Sequence, residues 1–131
     1  MKKHAELREL NGKKTTYKRE AEVHAIGKAG LEIILDNPEM GGREIWKIFR
    51  DSCLIDSLYE NSVTIVVRRP HPVRILIRTE FGDLETEAKL IRYELSHPSP
   101  DVIEAVLEYA LEDSDETIGF HLLLSEPSDQ T

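Results

Sequence analysis

Residues 63–93 constrain the chain more than any other stretch, because they hold three short runs of β-formers separated by two turns. The first run, 63–69, carries Val63, Ile65, Val66 and Val67. Pro70-His71-Pro72 must be a turn, since two prolines remove two backbone donors from any ladder. The run 73–79 then sets Val73, Ile75 and Ile77 on one face against Arg74, Leu76 and Arg78 on the other. Glu80-Phe81-Gly82-Asp83 reads as a hairpin loop. A returning strand paired Thr79–Leu84 sets Ile77 opposite Thr86, Ile75 opposite Ala88 and Val73 opposite Leu90. The other face then joins Arg78 to Glu85, at the small cost of Arg74 beside Lys89. A fourth strand is expected at 117–124, with Ile118, Phe120 and Leu122 in step.

The flanking segments are read as a mixture. Residues 2–10 suit a short helix ended by Asn11-Gly12. Residues 21–26 and 31–35 read as a strand pair joined by the Gly27-Lys28-Ala29-Gly30 turn, and Asp36-Asn37-Pro38 ends the second. Ile45, Trp46 and Phe49 favour a helix over 43–52, and 53–59 alternates weakly as a strand. Ser99-Pro100-Asp101 predicts the start of the strongest helix, with Ile103, Val106, Leu107, Ala110 and Leu111 as its apolar stripe. The fold class expected is therefore mainly β (α+β), a small antiparallel barrel with one or two added helices.

A chain of 131 residues suits one domain with a real core. No apolar run nears the ~20 residues needed to span a bilayer. The start, Met1-Lys2-Lys3-His4-Ala5-Glu6, has no apolar segment behind it, so no secretory signal is expected. With one cysteine, Cys53, an intrachain disulfide is impossible and the cytoplasm is the expected compartment.

The net charge of −8 is uneven. Residues 1–19 hold seven basic side chains (Lys2, Lys3, Arg8, Lys13, Lys14, Lys18, Arg19) against Glu6 and Glu9, a local +5 that leaves −13 for the rest. The organisation expected is a basic arm at 1–20, a barrel domain at 21–125 with a helical insertion at 99–113, and a polar tail at 126–131. The acidic body argues against DNA or RNA, while the arm could hold a compact phosphate ligand or be a solvated leader.

Few residues suggest chemistry on their own. His4, His24, His71, His97 and His121 share no metal-ligand spacing, and no metal site is expected. His121 should point outward from its strand. Cys53 reads as a small buried hydrophobe and not a nucleophile. Glu104, Glu108 and Glu112 form an acidic row that reads as a wet helix face. Arg68, Arg69, Arg74, Arg78 and Arg92 form a second basic set, which could line a phosphate-binding face or offset Glu85, Glu87 and their neighbours. The offsetting role is favoured. No catalytic constellation is visible, so no enzyme activity or cofactor is expected.

The C-terminal half resembles a PilZ domain. The text that carries the resemblance is Val73 to Arg92, ending Leu90-Ile91-Arg92, followed after an insertion by Thr117-Ile118-Gly119-Phe120-His121. These fill the places of the family's "V-V-R"-like strand ending and "I-G-V-x-F"-like closing strand. The resemblance implies a PilZ-type β-barrel and cyclic di-GMP as ligand. Family members that bind it carry an RxxxR motif in an N-terminal arm, whose planar forks grip phosphates and stack on guanine, and a [D/N]xSxxG motif at a strand start. The corresponding stretches here are Lys14-Thr15-Thr16-Tyr17-Lys18 followed by Arg19, and Asp56-Ser57-Leu58-Tyr59-Glu60-Asn61, with Ala25 to Gly30 as an alternative for the second. The ligand residues implied are Lys14, Lys18, Arg19, Asp56 and Asn61. Two functions follow as expectations. One is a cyclic di-GMP effector in which the arm rearranges against the barrel. The other is an adaptor that has lost the nucleotide and binds a protein partner, or itself, through the 103–111 region or a sheet edge.

Overall fold

In the computed structural model of the protein, which describes residues 1–12, 14–111 and 114–127, burial alternates residue by residue along almost every segment. That two-residue period is what a sheet with one dry face demands. The described residues form ten strands: β1 Lys2–Glu9, β2 Thr15–Ile26, β3 Gly30–Asn37, β4 Gly42–Ile48, β5 Ser52–Leu58, β6 Ser62–Arg68, β7 Val73–Thr79, β8 Gly82–Ser99, β9 Val102–Leu111 and β10 Thr117–Ser125. Each pairs antiparallel with its neighbour in sequence, and β1 pairs with β10 to close the barrel. A single 3-10 turn, Pro38–Met40, links β3 to β4 and ends on Gly41 in the left-handed region at φ 75°.

The mainly β, closed antiparallel barrel matches the expectation, but the added helices do not occur among the described residues. Residues 2–10 are not helical: Ala5 and Leu7 are buried two apart on β1, and Asn11-Gly12 turns a hairpin into β2. Residues 43–52 span β4 and the start of β5, with Trp46 and Ile48 facing inward. The 99–113 insertion is strand β9 over its described part, because Ala105, Leu107 and Tyr109 alternate into the core. Its apparent helical stripe arose because Val106 and Ala110, on the opposite face, are also apolar. Ser99-Pro100-Asp101 caps nothing; Pro100 and Asp101 form the two-residue turn of the β8–β9 hairpin, where Ser99 pairs with Val102.

The arm is also part of the wall. Residues 2–9 are β1, paired with β10 on one side and β2 on the other, and residues 15–20 are the first half of β2, paired with β1, while the ladder to β3 begins at Glu22. Of the tail, Glu126 accepts an ion pair from Lys3 at 2.8 Å, and 128–131 lie outside the described residues. No described helix is long and apolar enough to cross a membrane.

The barrel interior is filled with side chains. Tyr17, Ile33, Leu35, Trp46, Ile48, Tyr93, Leu107, Tyr109, Leu122 and Leu124 are all buried there, and the described core contains no buried polar residue. Trp46 on β4 meets Phe120 on β10 edge to face, with ring centroids 6.3 Å apart. Ten strands enclose more space than eight, and these aromatic side chains occupy it.

One irregularity positions the site. β8 is 18 residues long and changes partners along its length. Residues 82–88 pair with β7, and Ala88 onward pairs with β9, so Ala88 is the one described β8 residue paired on both sides. A register shift follows between Leu90 and Arg92. The β7–β8 register also differs from expectation by two residues. Thr79 pairs with Gly82 across a two-residue Glu80-Phe81 turn, Ile77 with Leu84, Ile75 with Thr86 and Val73 with Ala88. The Thr79 hydroxyl donates to the Gly82 carbonyl at 3.0 Å and accepts from the Phe81 amide at 3.1 Å, which holds the tight turn. A two-residue slip keeps every side chain on its expected face. It also moves Arg74 from Lys89 to Glu87 and sets Arg78 opposite Asp83.

Candidate functional site

A well-formed depression lies where β8 changes partners. Val66, Arg68, His71, Pro72, Arg74 and Glu87 line a groove of about 390 Å³ across the outer face of β6, β7 and β8. A second hollow of about 350 Å³, lined by Pro70, His71, Pro72, Ala88, Lys89 and Leu90, shares its wall. The two hollows flank the β6–β7 turn. That turn is closed by the His71 amide donating to the Arg68 carbonyl at 2.7 Å, and the Arg69–Pro70 bond in it is cis. Outward alternation of Val66 and Arg68 on β6 and of Arg74 on β7 brings these side chains to one surface.

The charges in the groove differ in how they are used. Arg74 is paired with Glu85 through both Nε, at 2.9 Å, and Nη2, and that carboxylate raises the guanidinium's pKa further. Arg69 leans away from the groove. Its Nη2 donates to the Arg50 carbonyl at 3.1 Å and lies 3.6 Å from Asp51, and its Cζ sits 5.6 Å from the Tyr93 ring centroid. Arg92 lies 3.9 Å from Glu94. Three arginines of the second basic set therefore do offset acids. Arg68 makes no side-chain hydrogen bond or ion pair with any described residue, and its fork stands exposed at the groove wall. Beside it, Val66 and Pro72 supply an apolar floor.

The five residues implied by the resemblance do not assemble. Lys14 precedes β2, with its carbonyl accepting from Glu9 at 2.8 Å. Lys18 is exposed on β2 opposite Glu6. Arg19 is spent within the protein: it pairs with Glu39 at 2.8 Å, donates to the Asp36 carbonyl and to Asn37 Oδ1, and lies 5.3 Å over the Tyr17 ring. The Glu39 hydrogen bond raises the Arg19 pKa, and Arg19 lowers that of Glu39. Asp56 on β5 accepts from the Thr64 hydroxyl at 2.7 Å. Asn61 sits in the β5–β6 turn, beside Thr79, Glu80 and Phe81. β3 and β4 separate Arg19 from Asp56, about 14 Å along the sheet at the usual strand spacing. No hydrogen bond or ion pair among the described residues joins any two of the five.

Sequence reasoning named Arg68 and Arg74 but missed His71 and Lys89 as wall residues. The signal was present: two arginines, a Pro-His-Pro turn and another arginine within seven positions put several cations at one hairpin end. Glu44 was missed altogether. It shares the inward face of Trp46 and Ile48, accepts from Trp46 Nε1 at 3.2 Å, and burial raises its pKa. Cys53 is buried and its thiol is pushed up to about 12, in keeping with an inert side chain. His121 faces outward, 3.5 Å from Glu104 on β9. Among the described residues no group of His, Cys, Asp and Glu is arranged to hold a metal ion. Glu112 of the acidic row lies outside the described residues.

No protein-family model matches the chain, and no curated protein matches it significantly. Among solved structures the chain is similar to the crystal structure of ywiB protein from Bacillus subtilis, with a TM-score of 0.66 over 97% of this chain and 90% of that one. The two are 8% identical, so the likeness is one of fold and assigns neither family nor activity.

Proposed function

We propose that this barrel is a non-catalytic regulatory domain that binds a phosphate-bearing small molecule in the groove at Arg68 and His71, beside the Glu85-paired Arg74. Cyclic di-GMP is the ligand that the PilZ resemblance implies, and it is the first to test. One observation carries the reading: Arg68 presents an exposed fork with no described intramolecular partner, at the wall of a groove of about 390 Å³. A guanidinium left open in this way fits a bidentate phosphate. Lys89 and His71 line the adjoining hollow, and the apolar floor suits the face of a base. Arg19, which follows the motif-like Lys14–Lys18 stretch, has its fork occupied by Glu39, Asp36 and Asn37. Because the former arm is barrel wall, the element free to respond to ligand is the turn carrying His71.

Calorimetric titration with cyclic di-GMP at near-physiological salt tests this. Binding in the micromolar range is expected, weakened about tenfold or more by Arg68→Ala and less by Arg68→Lys. No heat at high micromolar ligand would refute the nucleotide assignment.

A further inference from the structure

The β7–β8 hairpin extends past the last rung of the β8–β9 ladder. Residues 82–85 pair with β7 on one side, while no described strand lies on the other, where Ser114 begins the exposed approach to β10. Leu84 faces the same way as buried Ala88, yet is 62% exposed, and Phe81 at the tip is 93% exposed. Ile77, opposite Leu84, and Val63, opposite Ile77, continue this face as partly buried apolar residues. The other face carries Asp83 and Glu85. Neither proline nor lysine blunts the edge between 82 and 87.

We propose that residues 82–85 form a docking edge for an extended segment in which apolar and basic residues alternate. An added strand would take the open backbone groups, lay its apolar residues beside Leu84 and set its cations beside Asp83 and next to Glu85, whose carboxylate already faces Arg74. A second copy of this chain fits worse. Antiparallel pairing of two such edges opposes acids with acids, on molecules that each carry −8. Neither Asp83 nor Leu84 lines the phosphate groove, and Glu85 is the one edge residue joined to it, through its ion pair with Arg74.

The test uses the full chain, amide-resolved NMR and two synthetic hexapeptides, one alternating valine and lysine, the other valine and glutamate. The lysine peptide should shift amides at 82–85 and saturate at millimolar concentration or below. The glutamate peptide should bind at least about fivefold more weakly. Asp83→Lys, checked for an unchanged melting temperature, should reverse that preference, and Leu84→Ser should weaken both peptides. Equal binding of the two peptides, shifts confined to other strands, or no binding would overturn the proposal. Concentration-dependent dimerisation removed by Leu84→Ser would also overturn it, in favour of a second copy.

Discussion

Val73 and Ala88 form the last rung of the β7–β8 ladder, and Ala88 opens the β8–β9 ladder opposite Leu111. Among the described residues the two ladders therefore share only this one rung position, Ala88. Beyond it, residues 91–99 have no β7 partner, and side chains close the gap. Tyr93 is buried there, its hydroxyl donating to the Phe49 carbonyl while Arg69 covers its ring. Burial, with Cys53 nearby, pushes the Tyr93 phenol well above its ordinary pKa.

Removing that hydroxyl should loosen the junction. Tyr93→Phe leaves the ring in place but leaves the Phe49 carbonyl without this donor, at a cost of about 1–2 kcal/mol. Urea unfolding checks it, and amide exchange should rise first in the Phe49 and Tyr93 segments. An unchanged midpoint would show that the bond contributes nothing.

Cys53 should be chemically silent in the folded protein. With its thiol pushed up to about 12 by burial, only about one molecule in ten thousand is thiolate at pH 8. A disulfide reagent should react at the rate of opening, and faster by orders of magnitude in denaturant. The neutral thiol is the form the fold favours. Its contribution is complete below the unfolded-state value near 9 and is lost as pH climbs toward 12.

Glu44 should make the protein more stable in mild acid. Burial raises its carboxyl pKa above the ordinary 4.5, only partly countered by the Trp46 N–H, so the fold disfavours its charged form. Its support for folding is complete below the unfolded-state value and is lost as pH rises through the folded one. Glu44→Gln keeps an acceptor for Trp46 and should raise the melting temperature at pH 7, with the gain shrinking toward pH 4. A variant equally destabilised at both pH values would contradict this.

The strands that were legible in the chain are those whose two faces differ chemically. β7 matches the predicted 73–79 because Val73, Ile75 and Ile77 alternate with Arg74, Leu76 and Arg78, and β10 differs from the predicted 117–124 by one residue. β9 was misread because Val106 and Ala110 make its outer face apolar too, which imitates a helical stripe. Pro100 and Asp101 serve a hairpin turn as well as they serve a helix start. The five motif residues follow from the PilZ resemblance, which orders residues along the chain. A barrel instead groups residues by strand order, which puts Arg68 and Arg74 on neighbouring strands and keeps Arg19 and Asp56 apart.

Chemical-shift mapping of labelled protein with cyclic di-GMP tests the central claim most directly, because it separates the groove from the motif positions. The account predicts saturable shifts centred on Arg68, His71, Arg74 and Lys89, lost in Arg68→Ala. Shifts centred on Lys14, Lys18, Arg19, Asp56 and Asn61, or none at millimolar ligand, would contradict it.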